Sequence, residues 1–454
     1  MRRFFAENAL CVFWALLGST ALAWLGLYGI AWNDYEIEVQ PAAEALARLH
    51  IGEFLRVAPI YGGSLIERAP FALLPSLWHG GSLAVYRMLA LPCLLAGAAL
   101  GVLLVSRMRA AGRPRLARGI VLGVCVANPV TLIALELGHP EELLGAVLCI
   151  VAVLLASVAS PSRRQALLAG ALLGLAIANK QWAVLAAAPV LLALPGNRRA
   201  ICAASAFVVA LVLIAPLLLG SSGGYAAGAK GAVAPGSTIF QPWQIWWFFG
   251  AHGHAVHGLL TGVKPGYRAG PAWAGTISHP LILLAGALIA VALWWHWRGT
   301  RLPLREALLA LAVTLLARSL LDTWDTFYYL LPALLALAAW ESESSSRQPP
   351  VIALALSLVL WGQSQWLGGS ASPDLQSAIF ISSMLPLTVA LGVLLFRSPG
   401  SRRSRSSAAE VIPGAQDPSQ PITVRSLGSP VSTSQPSSRT TVRSSMRTPS
   451  VPGR

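Results

Sequence analysis

The stretch ALCVFWALLGSTALAWLGLYGIAWNDYEIEV, residues 9–39, decides the class of this chain. Its first part is a mostly apolar run over 9–31, and three carboxylates follow within five positions: Asp34, Glu36 and Glu38. A basic start, MRRFF, and ALA at 21–23 resemble a secretory signal. The apolar character continues to Trp32, however, and the run is near the roughly 20 residues a helical span needs. The pattern predicts an uncleaved first membrane helix that emits its carboxylates at a membrane surface.

Composition agrees. The 454 residues are 55% hydrophobic and 11% charged, with a mean hydropathy of +0.64, against about 25% charged for an ordinary soluble domain. The net charge of +15 does not mark a nucleic-acid binder, because the arginines fall in short loops and in the tail, where they report topology. The five cysteines all sit in apolar runs without a CxxC pair, and read as small buried hydrophobes.

Candidate spans lie at 9–31, 83–106, 119–137, 142–158, 166–179, 182–195, 200–220, 279–297, 306–321, 327–340, 351–367 and 377–396. Several are short, so the expectation is an all-α polytopic fold of about 10–12 spans. Threading from a cytoplasmic N-terminus places Arg107, Arg109, Arg113, Arg115, Arg118, Arg163, Arg164, Arg198, Arg199, Arg298, Arg301 and Arg305 inside. The two long loops, 33–79 and 221–278, then lie outside, and the expected site faces the extracytoplasmic side of a plasma membrane. Residues 1–397 form the membrane domain. The Ser-, Pro- and Arg-rich segment 398–454 reads as a disordered cytoplasmic tail, with basic residues suited to anionic lipid.

In the first loop, PAAEALARLHIGEFLRV (41–57) predicts a helix with Pro41 in its first turn and a Glu44–Arg48 pair. Lying on the membrane surface and packing on the spans are equally open to it. In the second loop, STIFQPWQIWWFFG carries Trp243, Trp246 and Trp247, which suit an interfacial belt and, less readily, a sugar-stacking platform. His252, His254 and His257 permit metal ligation by spacing, but no carboxylate completes a site. A polar Gly/His loop is the simpler reading, and no metal is expected.

Ionisable residues near hydrocarbon are costly and mark either pairing or function. Here Asp34, His139, Glu141, Glu142, Lys180, Arg318, Asp322 and Asp325 all map to the outer ends of spans. Asn128-Pro129 predicts a kinked helix, and Gly138-His139-Pro140 a sharp turn. Glu141 and Glu142 suit the positive end of the helix that follows, while His139 is free to meet a phosphate or a sugar hydroxyl. Lys180 either snorkels to the interface or binds a lipid-linked phosphate. Arg318 either pairs with Asp322 four residues on or binds that phosphate. Asp322, Asp325, Tyr328 and Tyr329 complete a candidate pocket.

The stretches NDYEIEVQPAAEALARLH, APIYGGSLIERAPFALL, NP…LGHPEELLGA and AGALLGLAIANKQWAVLAAAPVLLALP resemble glycosyltransferase family 87, within the GT-C-fold membrane enzymes. That group includes polyprenyl-phosphate-mannose-dependent mannosyltransferases. The resemblance implies a GT-C-like membrane fold and an inverting transfer of a hexose, mannose above others. The implied donor is a polyprenyl phosphate and the implied acceptor a glycolipid or cell-envelope glycan. Asp34 matches the family's first-loop base, with Glu36, His139, Glu142, Lys180, Arg318, Asp322 and Tyr328 as donor and substrate contacts. The surroundings read Asp-Tyr-Glu rather than Asp-x-Asp, which argues against a divalent metal, so no cofactor is implied. A multi-pass transporter or lipid flippase is the rival class, and a non-catalytic membrane scaffold the third.

Overall fold

The computed structural model describes residues 2–28, 34–220, 240–252, 256–258, 262–264, 266–323, 326–344 and 349–397. The proposed tail 398–454, Asp325 and His254 lie outside the described residues. Met1–Arg402 forms one unit.

Among the described residues the fold is all-α apart from one small ribbon. In chain order the helices are α1 (Arg2–Tyr28), α2 (Gln40–Ala47), α3 (Ile51–Val57), α4 (Gly62–Ala72), α5 (Ser82–Ala110), α6 (Arg115–Val126), α7 (Pro129–Glu136) and α8 (Glu141–Ala156). There follow α9 (Arg163–Asn179), α10 (Ala187–Ala193), α11 (Gly196–Gly220), α12 (Ala272–His296), α13 (Leu304–Leu321), α14 (Leu331–Ser342), α15 (Val351–Gly362) and α16 (Pro373–Arg397). Strands β1 (Val256–Gly258) and β2 (Gly262–Lys264) pair antiparallel, with His257 opposite Val263.

Among the described residues, six helical stretches are long and apolar enough to cross a membrane. They are Asn8–Tyr28, Ser82–Ala110, Arg115–Glu136, Gly196–Gly220, Ala272–His296 and Pro373–Arg397. The chain is a multi-pass helical membrane protein. The most peripheral of these, α11, α12 and α16, leave large side chains such as Leu219, Leu288, Trp295 and Val389 open, as helices facing hydrocarbon must. By contrast, α13 and α14 are apolar on all sides and almost wholly buried, so they form the middle of the bundle.

Local chemistry sets the breaks. Asn128 caps α7 through its side chain, which accepts the Val130 N–H at 2.8 Å, and Pro129 occupies the first helical position. Thus the apolar run 115–136 divides there, as Asn-Pro predicts. Ser162 and Gln165 cap α9 reciprocally, at 2.8 and 3.2 Å. Gly170 and Gly174, four apart on α9, lie against the Cys202 and Ala206 carbonyls of α11, where a Cβ would collide with backbone. Such small-residue spacing lets membrane helices approach closely.

The first loop differs from a single helix over 41–57. A π-helical turn, Tyr35–Val39, leads into α2, and the Gln40 N–H bonds the Tyr35 carbonyl five residues back. Pro41, next in line, has no N–H to offer. Leu49 is left-handed, with φ 59°, and separates α2 from α3. The expected Glu44–Arg48 pair forms at 3.0 Å. Of the two placements, α2 takes the packed one: Ala42, Ala43, Ala45 and Leu46 are buried, against α4 and α5. Ile51 and Val57 on α3 remain exposed.

In the second loop, Trp246 and Trp247 are core residues rather than a belt. Their indole N–H groups donate to the Leu321 carbonyl at 2.7 Å and to Asp374 Oδ1 at 2.8 Å. Gln244 donates to the Thr323 carbonyl at 2.9 Å, and Trp243 packs on Phe327 with ring centroids 4.3 Å apart. The segment 240–250 is thereby fastened to the end of α13.

Candidate active site

Four helix ends and the π-helical turn converge on one cluster of charges. The turn between α7 and α8 begins it. Gly138 is left-handed, with φ 93°, and the His139 N–H closes back on the Ala134 carbonyl at 2.7 Å. Glu141 and Glu142 then open α8, and both are fully buried. The N-terminal turn explains their sequence position, but not a burial this complete, which demands partners.

One partner, His139, is local, and the others come from elsewhere in the chain. His139 Nδ1 lies 2.8 Å from Glu141 Oε1, and its Nε2 lies 3.4 Å from Asp34 Oδ2. Lys180, where α9 ends and the backbone turns extended, places Nζ 3.1 Å from Glu141 Oε1 and 3.7 Å from Glu142 Oε1. Arg68 on α4 reaches Glu141 Oε2 at 3.6 Å, while it donates to Ser64 and to the Leu89 carbonyl. Arg318, in the last turn of α13, lies 4.0 Å from Glu142 Oε2. It donates to the Tyr329 carbonyl at 3.3 Å and covers the Tyr329 and Trp182 rings.

Aromatic rings wall the cluster. His139 stacks on Tyr328 with centroids 4.8 Å apart and meets Tyr61 edge-on. Lys180 Nζ lies 3.9 Å above the Tyr61 ring, a cation–π contact. The Tyr61 hydroxyl donates to Glu38 at 2.5 Å. Burial first, then the negative charge of Glu38 and Glu141, pushes the Tyr61 phenol well above its ordinary range, so it stays a donor.

The structure brings together Asp34, His139, Glu142, Lys180, Arg318 and Tyr328. Asp34 is the accessible end of the network, with a side chain 33% exposed where Glu141 shows 1%. Asp322 is buried where α13 ends, with its backbone N–H on the Arg318 carbonyl at 3.0 Å. Glu36 and Glu38 are both exposed, and it is Glu38 that joins the cluster, through Tyr61. His252 stands apart, 3.4 Å from Asp374. No group of three or more metal-type side chains occurs among the described residues.

Sequence reasoning missed Arg68 and Tyr61 and gave Glu141 only a helix-end role. One signal was present: Ser64 and Arg68 stand four apart on one helix, the spacing at which a side chain can satisfy a buried guanidinium.

The family model for glycosyltransferase family 87 matches residues 63–321, more than half of the chain. This chain belongs to glycosyltransferase family 87. No curated protein and no solved structure matches it. Family 87 membership makes the chain a membrane glycosyltransferase and sets aside the transporter reading. The matched stretch contains Arg68, His139, Glu141, Glu142, Lys180 and Arg318, while Asp34 precedes it and Asp322 and Tyr328 follow it.

Proposed function

We propose that this family 87 enzyme transfers a hexose, with mannose as the leading candidate, from a polyprenyl phosphate to a hydroxyl of a glycolipid or cell-envelope glycan. The reaction takes place at the extracytoplasmic face of the plasma membrane, with both termini in the cytoplasm. The observation that carries this reading is the half-buried, solvent-accessible Asp34 carboxylate at one end of a network of buried cations.

Asp34 acts as general base. It takes the proton of the acceptor hydroxyl as that oxygen bonds to the anomeric carbon. The bond from that carbon to the phosphate oxygen breaks, and the polyprenyl phosphate leaves with the electron pair. Attack from the opposite side inverts the anomeric centre. The phosphate is a good leaving group and requires no acid, so a second catalytic carboxylate is unnecessary.

Lys180 and Arg318 stabilise the leaving phosphate. Both Glu142 oxygens lack a hydrogen-bond partner among the described residues, and the two cations stand 3.7 and 4.0 Å from them. Their N–H groups are therefore not consumed by Glu142 and remain able to turn to a phosphate. Tyr328 and Asp322 border the same space, and the lipid tail enters from hydrocarbon between helices. No divalent metal takes part in this scheme.

The test is transfer from a panel of polyprenyl-phosphate hexoses in membranes containing the wild type or Asp34→Asn. A general base contributes roughly 100- to 10,000-fold, and a loss of that size is expected with insertion unchanged. Equal transfer by both proteins would sink the Asp34 assignment.

A further inference from the structure

We propose that His139 is a positioning residue for Asp34: clamped as a cation between Glu141 and Asp34, it aims the Asp34 carboxylate at the acceptor hydroxyl. The inference rests on the reading of Asp34 as the base.

The geometry begins with the two ring nitrogens. Each faces a carboxylate oxygen, Nδ1 on Glu141 at 2.8 Å and Nε2 on Asp34 at 3.4 Å. A neutral imidazole has one N–H and one lone pair. In that form one nitrogen would turn its lone pair on a carboxylate, so only the imidazolium satisfies both contacts. The same fact argues against a direct role on the donor: with both N–H groups taken, His139 has none for a phosphate.

Every element packed around the ring bears on its charge. Asp34 faces it from the π-helical turn and Glu141 from the start of α8. Lys180 faces it from the end of α9, Tyr61 from the residue before α4, and Tyr328 from the turn before α14. Burial and the Lys180 ammonium oppose the charge. Glu141 and Asp34 outweigh them, and the His139 imidazolium titrates at about 9.

The clamp is fixed at its inner end. Glu141 Oε1 also holds Lys180 at 3.1 Å, Oε2 faces Arg68, and the Glu141 carbonyl accepts from Asn179 Nδ2 at 2.8 Å. The side chain is 4% exposed and its ring is stacked on Tyr328. Rigidity thus passes from Glu141 through the imidazolium to a carboxylate at the head of a π-helical turn, a conformation common at functional sites. A buried carboxylate that orients a histidine toward the reacting group is a recurrent catalytic device. Here the oriented group is the base itself. His139 neither gains nor loses a proton in turnover, and the acceptor proton resides on Asp34 until water removes it.

The experiment compares wild type, His139→Gln and Glu141→Gln in transfer kinetics across pH. For His139→Gln, kcat is expected to fall roughly 10- to 100-fold, the cost of a small misplacement of a reacting group, with the donor KM within about twofold. Wild-type kcat is expected to decline as pH rises through about 9, and His139→Gln to lack that decline. In Glu141→Gln it moves to lower pH, because one of the two stabilising carboxylates is gone. A donor KM raised tenfold with kcat intact would overturn the proposal in favour of phosphate binding, and so would a wild-type profile flat through pH 9.

A second readout needs no donor. The unfolding midpoint of the purified full chain in detergent is measured for wild type and His139→Gln between pH 6 and 10. A histidine whose folded pKa is raised stabilises below its unfolded pKa of about 6.5 and loses that stabilisation as pH rises through the folded value. The gap between the two proteins is therefore expected to narrow from about pH 6.5 to about 9. A constant gap overturns the imidazolium clamp even if no donor in the panel is used, which would count against the proposed reaction alone.

Discussion

Gly138 touches Tyr35 so closely that a Cβ on the glycine would lie 2.7 Å from the Tyr35 backbone nitrogen. This contact joins the turn before α8 to the π-helical turn, and it brings His139 to Asp34. Gly138 is also left-handed, with φ 93°, a region that L side chains enter at a cost of about 1–3 kcal/mol. Gly138→Ala is expected to lower the unfolding midpoint and to reduce transfer by more than the stability loss explains, because the two turns must part. Measuring both on one preparation checks it, and a variant with wild-type kcat would refute the coupling.

Arg68 is a buried cation with a structural duty. It donates to Ser64 Oγ at 2.6 Å and supports Glu141 from the side opposite His139. Removing one member of a buried charged set leaves the other uncompensated, at about 3–5 kcal/mol. Arg68→Ala is expected to show this as poor recovery of folded protein and a markedly lower midpoint. Arg68→Lys should recover only part, since one ammonium cannot replace the guanidinium fork.

Glu67, its neighbour, behaves oppositely. Its Oε1 is sealed from solvent without a hydrogen-bond partner among the described residues, and burial, against the opposing pull of Arg68, pushes the carboxyl up to about 8. Between its unfolded value of about 4.3 and about 8, the folded chain binds a proton that the unfolded chain does not. Stability therefore falls with rising pH in that window. Glu67→Gln, which cannot ionise, is expected to gain on wild type as pH rises from 5 to 8, with little further gain above. A pH-independent difference in midpoint would contradict the burial argument.

Lys180 separates donor binding from chemistry. A charge-assisted contact to a phosphate contributes about 1.5–3 kcal/mol. Lys180→Gln is expected to raise the KM for a polyprenyl-phosphate sugar roughly 10- to 100-fold. Titration of initial rates against donor concentration measures it, and an unaltered KM would remove Lys180 from the phosphate site.

Arg268 tests how the second loop is held. Its guanidinium grips both Asp374 oxygens, at 2.7 and 2.8 Å, and Trp247 donates to one of them. Arg268→Ala is expected to loosen the segment 240–252 from α16 and to raise its rate of cleavage by an added protease. Cleavage at the wild-type rate would show that the aromatic packing alone suffices.

Much of this was legible in the residues. Apolar runs of span length, Asn-Pro and Gly-His-Pro breaks and arginine-rich turns are local signals, because helix formation, capping and burial in hydrocarbon act over a few consecutive residues. The same locality placed Asp34, His139, Glu142, Lys180 and Arg318 at helix ends, and the motifs around them resembled the family that the chain proved to join. Partnership was not legible. That Glu141, beside His139 in the chain, would also hold Lys180 and Arg68, that Glu38 and not Glu36 would join them through Tyr61, and that Trp247 would be core and bonded to Asp374 depend on contacts between residues tens to hundreds of positions apart. A buried charge is tolerated only where several helices deliver its counter-charges to one point, and only the packing of the bundle decided where that point lies.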